Sequence, residues 1–284
     1  MPDSKRFVGR VALVSGAARG QGRSHALRLA AEGADLALVD LAGPLETTHY
    51  PAATADDLAE TVQLVESLGR KVVWRRGDVR DRELLVSLVD EARDVLGPIN
   101  IVLGNAGITS LATIDQLTDL MWDEMIDINL TGVWNTVKAA LPSMIDSEQG
   151  GAIVLTSSIA GLMGMPTLAH YSAAKHGVTG LMKALANELA PHRIRVNTVH
   201  PTNVGTVMIR NDQTYQNFRP DLVGPSEEDA KAGFMSYHLL QEPWVEVEDV
   251  SNAVLWLLSD EARYVTGAML PIDCGCLVKF PATY

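Results

Sequence analysis

Short runs of aliphatic and β-branched residues alternate with longer stretches of helical period along nearly the whole chain. Val11 to Ser15, Leu36 to Asp40, Val72 to Arg75, Ile99 to Leu103, Ala152 to Thr156, Arg195 to Val199 and Ala268 to Ile272 read as strands. Arg23 to Glu32, Ala55 to Leu68, Arg82 to Leu96, Trp122 to about Ile145, Ala169 to Leu189 and Val247 to Leu258 read as helices. Helices of that length between strands are crossovers, so the strands run parallel with helices on both faces. The strands read as apolar throughout, as doubly covered strands should. We expect one α/β domain over 1–284, a doubly wound, mainly parallel seven-stranded sheet.

Composition agrees. The 284 residues are 47 % hydrophobic and 20 % charged, with 35 acidic against 23 basic side chains and a net charge of −12. Disorder and repeats are excluded, and an acidic chain is a poor non-specific nucleic-acid binder. The two cysteines, Cys274 and Cys276, are too close for a bridge and too few for a zinc site. They read as small buried apolar residues, and no metal is expected. No apolar run approaches a membrane span or a leader. The expectation is a soluble cytoplasmic protein.

Two stretches break the rhythm. Leu41 to Thr54 is an insert between a strand and its helix, and Asn203 to about Glu246 is a longer polar segment with a short helix from Ser226 to Leu240. Such segments serve as binding loops or lids in compact α/β domains.

The sequence between the first strand and first helix is Ser15-Gly16-Ala17-Ala18-Arg19-Gly20-Gln21-Gly22. Glycines there let backbone N–H groups approach a pyrophosphate, and the helix N-terminus favours its charge. Asp40 ends the second strand, where a carboxylate accepts adenosine ribose hydroxyls and repels a 2′-phosphate. This favours NAD over NADP, although Arg19 and Arg23 argue weakly the other way. Leu41, beside Asp40, joins the cofactor candidates. Asp78-Val79 follows the third strand, where the adenine would lie, and Asn105-Ala106-Gly107 follows the fourth.

Tyr171 and Lys175 stand four residues apart at a helix start and share one face. A Lys cation beside a phenol should pull its pKa below the ordinary ~10, making the phenol an acid or base for a substrate oxygen. Ser158, just after the fifth strand, can hydrogen-bond that oxygen. Asn129, on the long helix, can link Lys175 to solvent through water.

Together these residues resemble the short-chain dehydrogenase/reductase family over nearly the whole chain. Gly16, Gly20 and Gly22 match its TGxxxGxG loop with Ser15 for Thr, and Asn105-Ala106-Gly107 matches its NNAG with Gly104 for the first Asn. Asn129, Ser158, Tyr171 and Lys175 match its catalytic tetrad. Pro201 opens the segment after the sixth strand, with Thr202 where Gly is usual. Val204 and Thr206 fall where that segment contacts the nicotinamide end, and Met208 beside them is a further contact. Asp273-Cys274-Gly275 resembles the C-terminal Asp-Gly-Gly. The resemblance implies a Rossmann-type fold and reversible hydride transfer between NAD and a secondary alcohol or ketone. It also implies a homotetramer built through the Trp122 helix, the Ala169 helix and the last strand, with the tail Leu277 to Tyr284 reaching a neighbour.

The insert, with Tyr50-Pro51 before Asp57-Leu58, is similar to the mycofactocin-associated subgroup, which includes carveol dehydrogenases. That implies tightly held NAD, its adenosine end covered by the insert. Leu162, Met163, Met165, Met208, Phe234, Met235 and Tyr237 would line a pocket for a hydrophobic alcohol. Two rivals are an NADP-dependent carbonyl reductase, disfavoured by Asp40, and a non-catalytic dinucleotide sensor, disfavoured by the intact Ser158, Tyr171 and Lys175.

Overall fold

A computed structural model describes residues 5–280. Seven strands form one parallel sheet in the order β3-β2-β1-β4-β5-β6-β7. They are β1 (Val11–Ser15), β2 (Asp35–Asp40), β3 (Val72–Arg76), β4 (Ile101–Gly104), β5 (Gly151–Thr156), β6 (Ile194–Pro201) and β7 (Met269–Ile272). The register pairs Val14 with Leu38 and Leu103, and Leu103 with Val154, so the carboxyl ends of the central strands lie level. The chain leaves β1 toward β2 and β3, then returns to β4 on the other side. That reversal opens a crevice at the carboxyl ends of β1 and β4.

One face of the sheet carries α1 (Gly20–Ala31), α2 (Ala55–Ser67) and α9 (Val247–Leu258), through Leu29, Leu58, Val254 and their neighbours. The other carries α3 (Arg82–Leu96), α5 (Gly132–Asp146) and α6 (Ala169–Leu189), through Leu85, Val137 and Met182. The caps are those the sequence advertises. Thr54 and Asp57 form a reciprocal capping box on α2, and Asp81 caps α3. Gly69, at φ +73°, lets the chain turn out of α2.

The long helix expected from Trp122 is interrupted. It runs as α4 (Asp119–Ile126), a π-helical turn over Asp127–Thr131, then α5. The wider turn carries Asn129, and such turns are often found at functional sites.

Three expectations need correction. Strands β3 and β7 are not apolar and doubly covered: Trp74 and Met269 are each about 40 % exposed, because both strands lie at sheet edges. Cys274 and Cys276 are free thiols in a turn and only partly buried, not core residues. The helix expected from Ser226 to Leu240 is α8 (Glu227–Ser236), preceded by an unforeseen α7 (Asp212–Phe218) capped by Asn211. Among the described residues, no helix is long and apolar enough to cross a membrane. The last four residues of the apolar tail, through Tyr284, lie outside the described residues.

Candidate active site

The crevice is a cavity of about 780 Å³. Of the residues singled out in the sequence, Gly16, Arg19, Gly20, Gln21, Gly22, Asp40, Leu41, Asp78, Val79, Asn105, Ala106, Gly107, Thr206 and Met208 line it. Its glycine floor is sterically required. A Cβ on Gly22 would fall 1.9 Å from the Gly16 carbonyl oxygen. The N-terminus of α1 behind it has no side-chain cap and no acidic residue in its first turn. The Gln21 amide oxygen is buried without a partner. An uncapped helix N-terminus over a glycine cradle suits a pyrophosphate. The orphaned Gln21 oxygen is an acceptor left for a ligand's donor.

Ser15 ties the two halves of this floor together. Its Oγ accepts hydrogen bonds from the backbone N–H groups of Asn105 (3.1 Å) and Ala106 (3.2 Å). The Asn105 side chain does not point out to solvent. Its Nδ2 donates to the Ser15 and Gly16 carbonyl oxygens, so it shapes the glycine loop from below.

Asp40 Oδ2 accepts from Ala18 N–H at 2.9 Å and Oδ1 from Ala42 N–H at 2.8 Å. The carboxylate is thus fixed on the cavity wall, with lone pairs left for hydroxyl donors. Arg23 turns away to the Ala18 carbonyl, Thr61 and Glu60, and so is a structural residue rather than a phosphate ligand. Arg19 donates to the Pro51 carbonyl oxygen of the insert. Asp78 holds Arg80 while remaining on the wall.

Asn129 and Lys175 lie directly behind Gly107, and Ser158 hydrogen-bonds Tyr171; the four tetrad residues stand behind the cavity wall rather than on it. A Cβ on Gly107 would lie 2.6 Å from Asn129 Oδ1 and 3.4 Å from Lys175 Nζ. Tyr171 packs with Val79, Ala106 and Ile108. Lys175 Nζ donates to the Thr156 carbonyl oxygen at 2.9 Å and lies 5.6 Å from the centre of the Tyr171 ring. Burial pulls Lys175 down to about 8. Asn129 is fully buried. Its Oδ1 accepts from Ile108 N–H at 2.9 Å and its Nδ2 donates to the Ile108 carbonyl at 3.0 Å, so its side chain fixes the loop after Gly107.

The acid shift expected for the phenol is not what this arrangement produces. Burial pushes the Tyr171 phenol above its ordinary 10, and a hydrogen bond with Ser158 only partly opposes it. The Lys175 ammonium is committed to a carbonyl and lies 5.6 Å from the ring centre, so desolvation dominates.

The sequence reading missed several residues here. His200, fully buried at the end of β6, donates from Nδ1 to the Ser158 carbonyl at 2.8 Å. Its Nε2 lies 2.8 Å from Thr198 Oγ1, so the ring orients the turn that carries Ser158. Tyr50, from the insert, lines the cavity and accepts the Thr109 N–H at 3.3 Å. The insert is tethered again where Thr47 N–H donates to the buried Glu124 at 3.2 Å, and where Arg76 donates to the Leu41 carbonyl. The sequence named Tyr50 only as part of the Tyr50-Pro51 resemblance and the length of the insert, with no role of its own.

The segment after β6 closes the other side through Gly205, Thr206, Val207 and Met208. Pro201 and Val204 are not on the cavity wall. Pro201 offers its carbonyl to Ser158 Oγ at 3.5 Å, and Val204 pairs with Val245 in an isolated parallel bridge that closes the base of the segment. Thr202, the departure from the family's glycine, lies 2.7 Å through Oγ1 from Nε2 of the buried His238. Of the apolar residues expected to face a substrate, only Met208 lines the cavity. Phe234 is instead the fully buried centre of an aromatic cluster with Phe218, Trp244 and Tyr215. It packs α7 against α8, and Tyr237 contacts Phe218 at its edge.

The chain matches the family model for short chain dehydrogenases over residues 10–217. It is 54 % identical to a (-)-trans-carveol dehydrogenase of Rhodococcus erythropolis, over 96 % of this chain and 99 % of the relative. A crystal structure of carveol dehydrogenase from Mycobacterium avium in complex with NAD shares 53 % identity at a TM-score of 0.95, over 96 % of this chain and 99 % of that one. A short chain dehydrogenase from Mycobacterium paratuberculosis bound to NAD shares 43 % identity at a TM-score of 0.87, over 95 % and 98 % of the two chains. With its glycine cradle, fixed Asp40 and clustered tetrad, this chain belongs to the short-chain dehydrogenase family.

Proposed function

We propose that the chain interconverts a hydrophobic secondary alcohol and its ketone, with Tyr171 as the acid or base. It is an NAD-dependent oxidoreductase acting on CH–OH groups. The supporting observation is that Asn129 and Lys175 meet at Gly107, on the wall of the cavity that also carries the glycine cradle and Asp40, with Tyr171 beside Lys175 and hydrogen-bonded to Ser158.

When bound, NAD supplies the hydride acceptor. Asp40 takes the adenosine ribose, the N-terminus of α1 the pyrophosphate, and Thr206 the nicotinamide end. Tyr171 Oη takes the alcohol proton in oxidation and returns it in reduction. Ser158 Oγ hydrogen-bonds the same oxygen, held in place by His200. The Lys175 cation orients the nicotinamide ribose and favours the phenolate once its ammonium is drawn toward the hydroxyl. Asn129 supports the proton path by fixing Ile108. A Tyr171→Phe variant that still turns over the alcohol would overturn this assignment.

The relatives named for carveol suggest a cyclic terpenoid-like alcohol, and Leu45, Ile108, Val207 and Met208 give the wall an apolar character suited to it. The insert over 41–54 and the segment over about 203–246 act as covers in a single domain over 1–284. The insert's four tethers support a mycofactocin-associated reading in which NAD exchanges slowly. Deleting 42–52 and measuring NAD retention on gel filtration tests it, and unchanged retention would refute it. Exposed Leu120 and Trp122 on α4 and Met269 on β7 support a homotetramer, which light scattering would count; the cytoplasm is the proposed compartment.

A further inference from the structure

The insert reaches farther than an adenosine cover needs to. Its first residues, Leu41 and Gly43, follow Asp40 along the cavity wall, and Tyr50 lines the same cavity. There its hydroxyl meets Thr109, two residues beyond the Gly107 strip that touches Asn129 and Lys175. The strand-to-helix loop at this point is held residue by residue from different elements. Ile108 is fixed by Asn129 from the π-helical turn, Thr109 by Tyr50 from the insert, and Ser110 by His170 from α6, its Oγ 2.8 Å from His170 Nε2. The insert is therefore fastened to the loop that carries Gly107, beside Asn129 and Lys175.

The chemistry of the Tyr50 hydroxyl is specific. The Thr109 N–H occupies one of its lone pairs, so the oxygen acts here as an acceptor. No acceptor among the described residues takes its own proton. Burial pushes the phenol up to about 12, the charge of nearby Tyr171 contributing in the same direction. Tyr50 thus stays protonated at neutral pH, and offers a neutral O–H donor to the cavity. Pro51, the next residue, is gripped by Arg19 of the glycine loop. This fastens the phenol between the pyrophosphate cradle and the tetrad.

We propose that Tyr50 is a further cofactor-positioning residue, whose hydroxyl donates a hydrogen bond to an oxygen on the nicotinamide half of the bound dinucleotide and closes the insert over it. This rests on NAD binding in the cleft as proposed above, and it assigns a specific bond to one residue of the insert. Phenylalanine keeps the packing of the ring but loses the hydroxyl, and with it both the Thr109 acceptor and the donor offered to the cofactor.

The test is the release rate of NADH, followed by its fluorescence, from the full-length wild type, from Tyr50→Phe and from Thr47→Val. The Thr47→Val change removes a hydroxyl tether of the insert at Glu124 and leaves the Tyr50 hydroxyl intact. Melting curves are recorded alongside. We expect Tyr50→Phe to release NADH at least tenfold faster with an unchanged melting temperature, and Thr47→Val to release it less than threefold faster. Release from Tyr50→Phe within twofold of wild type overturns the proposal, as does equal acceleration in both variants, which would mean that general loosening of the insert sets the rate. If deletion of 42–52 frees NAD while Tyr50→Phe does not, the insert remains a cover and only the role of Tyr50 falls. If neither change alters release, both readings fall.

Discussion

The Lys175 ammonium donates a 2.9 Å hydrogen bond to the carbonyl oxygen of Thr156, the last residue of β5. A buried cation with a single neutral acceptor is poorly compensated for the water it has lost. That is why Lys175 falls to about 8 from its ordinary 10.5.

The pH dependence follows from linkage. Between about 8 and 10.5 the unfolded chain keeps a proton on Lys175 that the folded chain has released. Stability from this group therefore rises as pH climbs through that window, and is lowest below 8. Lys175→Met lacks the group, so wild type should gain on the variant across the window by about 3 kcal/mol in denaturant melts. A difference that stays flat with pH would contradict the buried, lowered Lys175. The same variant should lose activity on the order of 100-fold or more.

Tyr171→Phe removes one oxygen and leaves the ring packed against Ile108 and Ala106. Turnover should drop by about 10²–10⁴-fold in both directions. Nucleotide bound to the purified variant, measured by mass spectrometry, should match wild type, because Asp40 and the glycine cradle are untouched.

Asp40 sets cofactor choice through a carboxylate already fixed by two backbone N–H groups. Asp40→Ser removes the charge that repels a 2′-phosphate. The NAD to NADP ratio of kcat/KM should fall by at least tenfold, a loss of roughly 1.4 kcal/mol in discrimination. Titration with both cofactors would show it, and an unchanged ratio would assign the preference to other residues.

Asn129→Ala strips both partners from the Ile108 backbone. Each buried group left unsatisfied costs about 1–3 kcal/mol, so urea midpoints should fall clearly. Gly107→Ala probes the same contact from the other side, since its Cβ would press on Asn129 Oδ1 at 2.6 Å. It should lower kcat with a smaller loss of stability. Full activity in Gly107→Ala would mean that the strip yields more easily than its packing suggests.

Much of the site was legible because its residues sit at fixed places on a repeating scaffold. Gly16, Gly20 and Gly22 follow β1, Asp40 ends β2, and Tyr171 and Lys175 share a face of α6, so spacing alone brings them to one sheet edge. What spacing could not reveal was the partner of each side chain. Asn105 read as a cofactor-facing residue, yet its amide nitrogen is spent on the Ser15 and Gly16 carbonyls. Phe234 read as a pocket wall, yet it fills the core of its own small cluster.

Local chemistry along the chain dictated the alternating elements, their caps and the order of the motifs, because periodicity, turn residues and capping pairs act over a few residues. Tertiary packing decided where Tyr50 comes to rest, which carbonyl holds Lys175, and whether the Tyr171 phenol is acidified or pushed upward. Those outcomes depend on burial and on neighbours tens to hundreds of residues away, and no short window of sequence carries them.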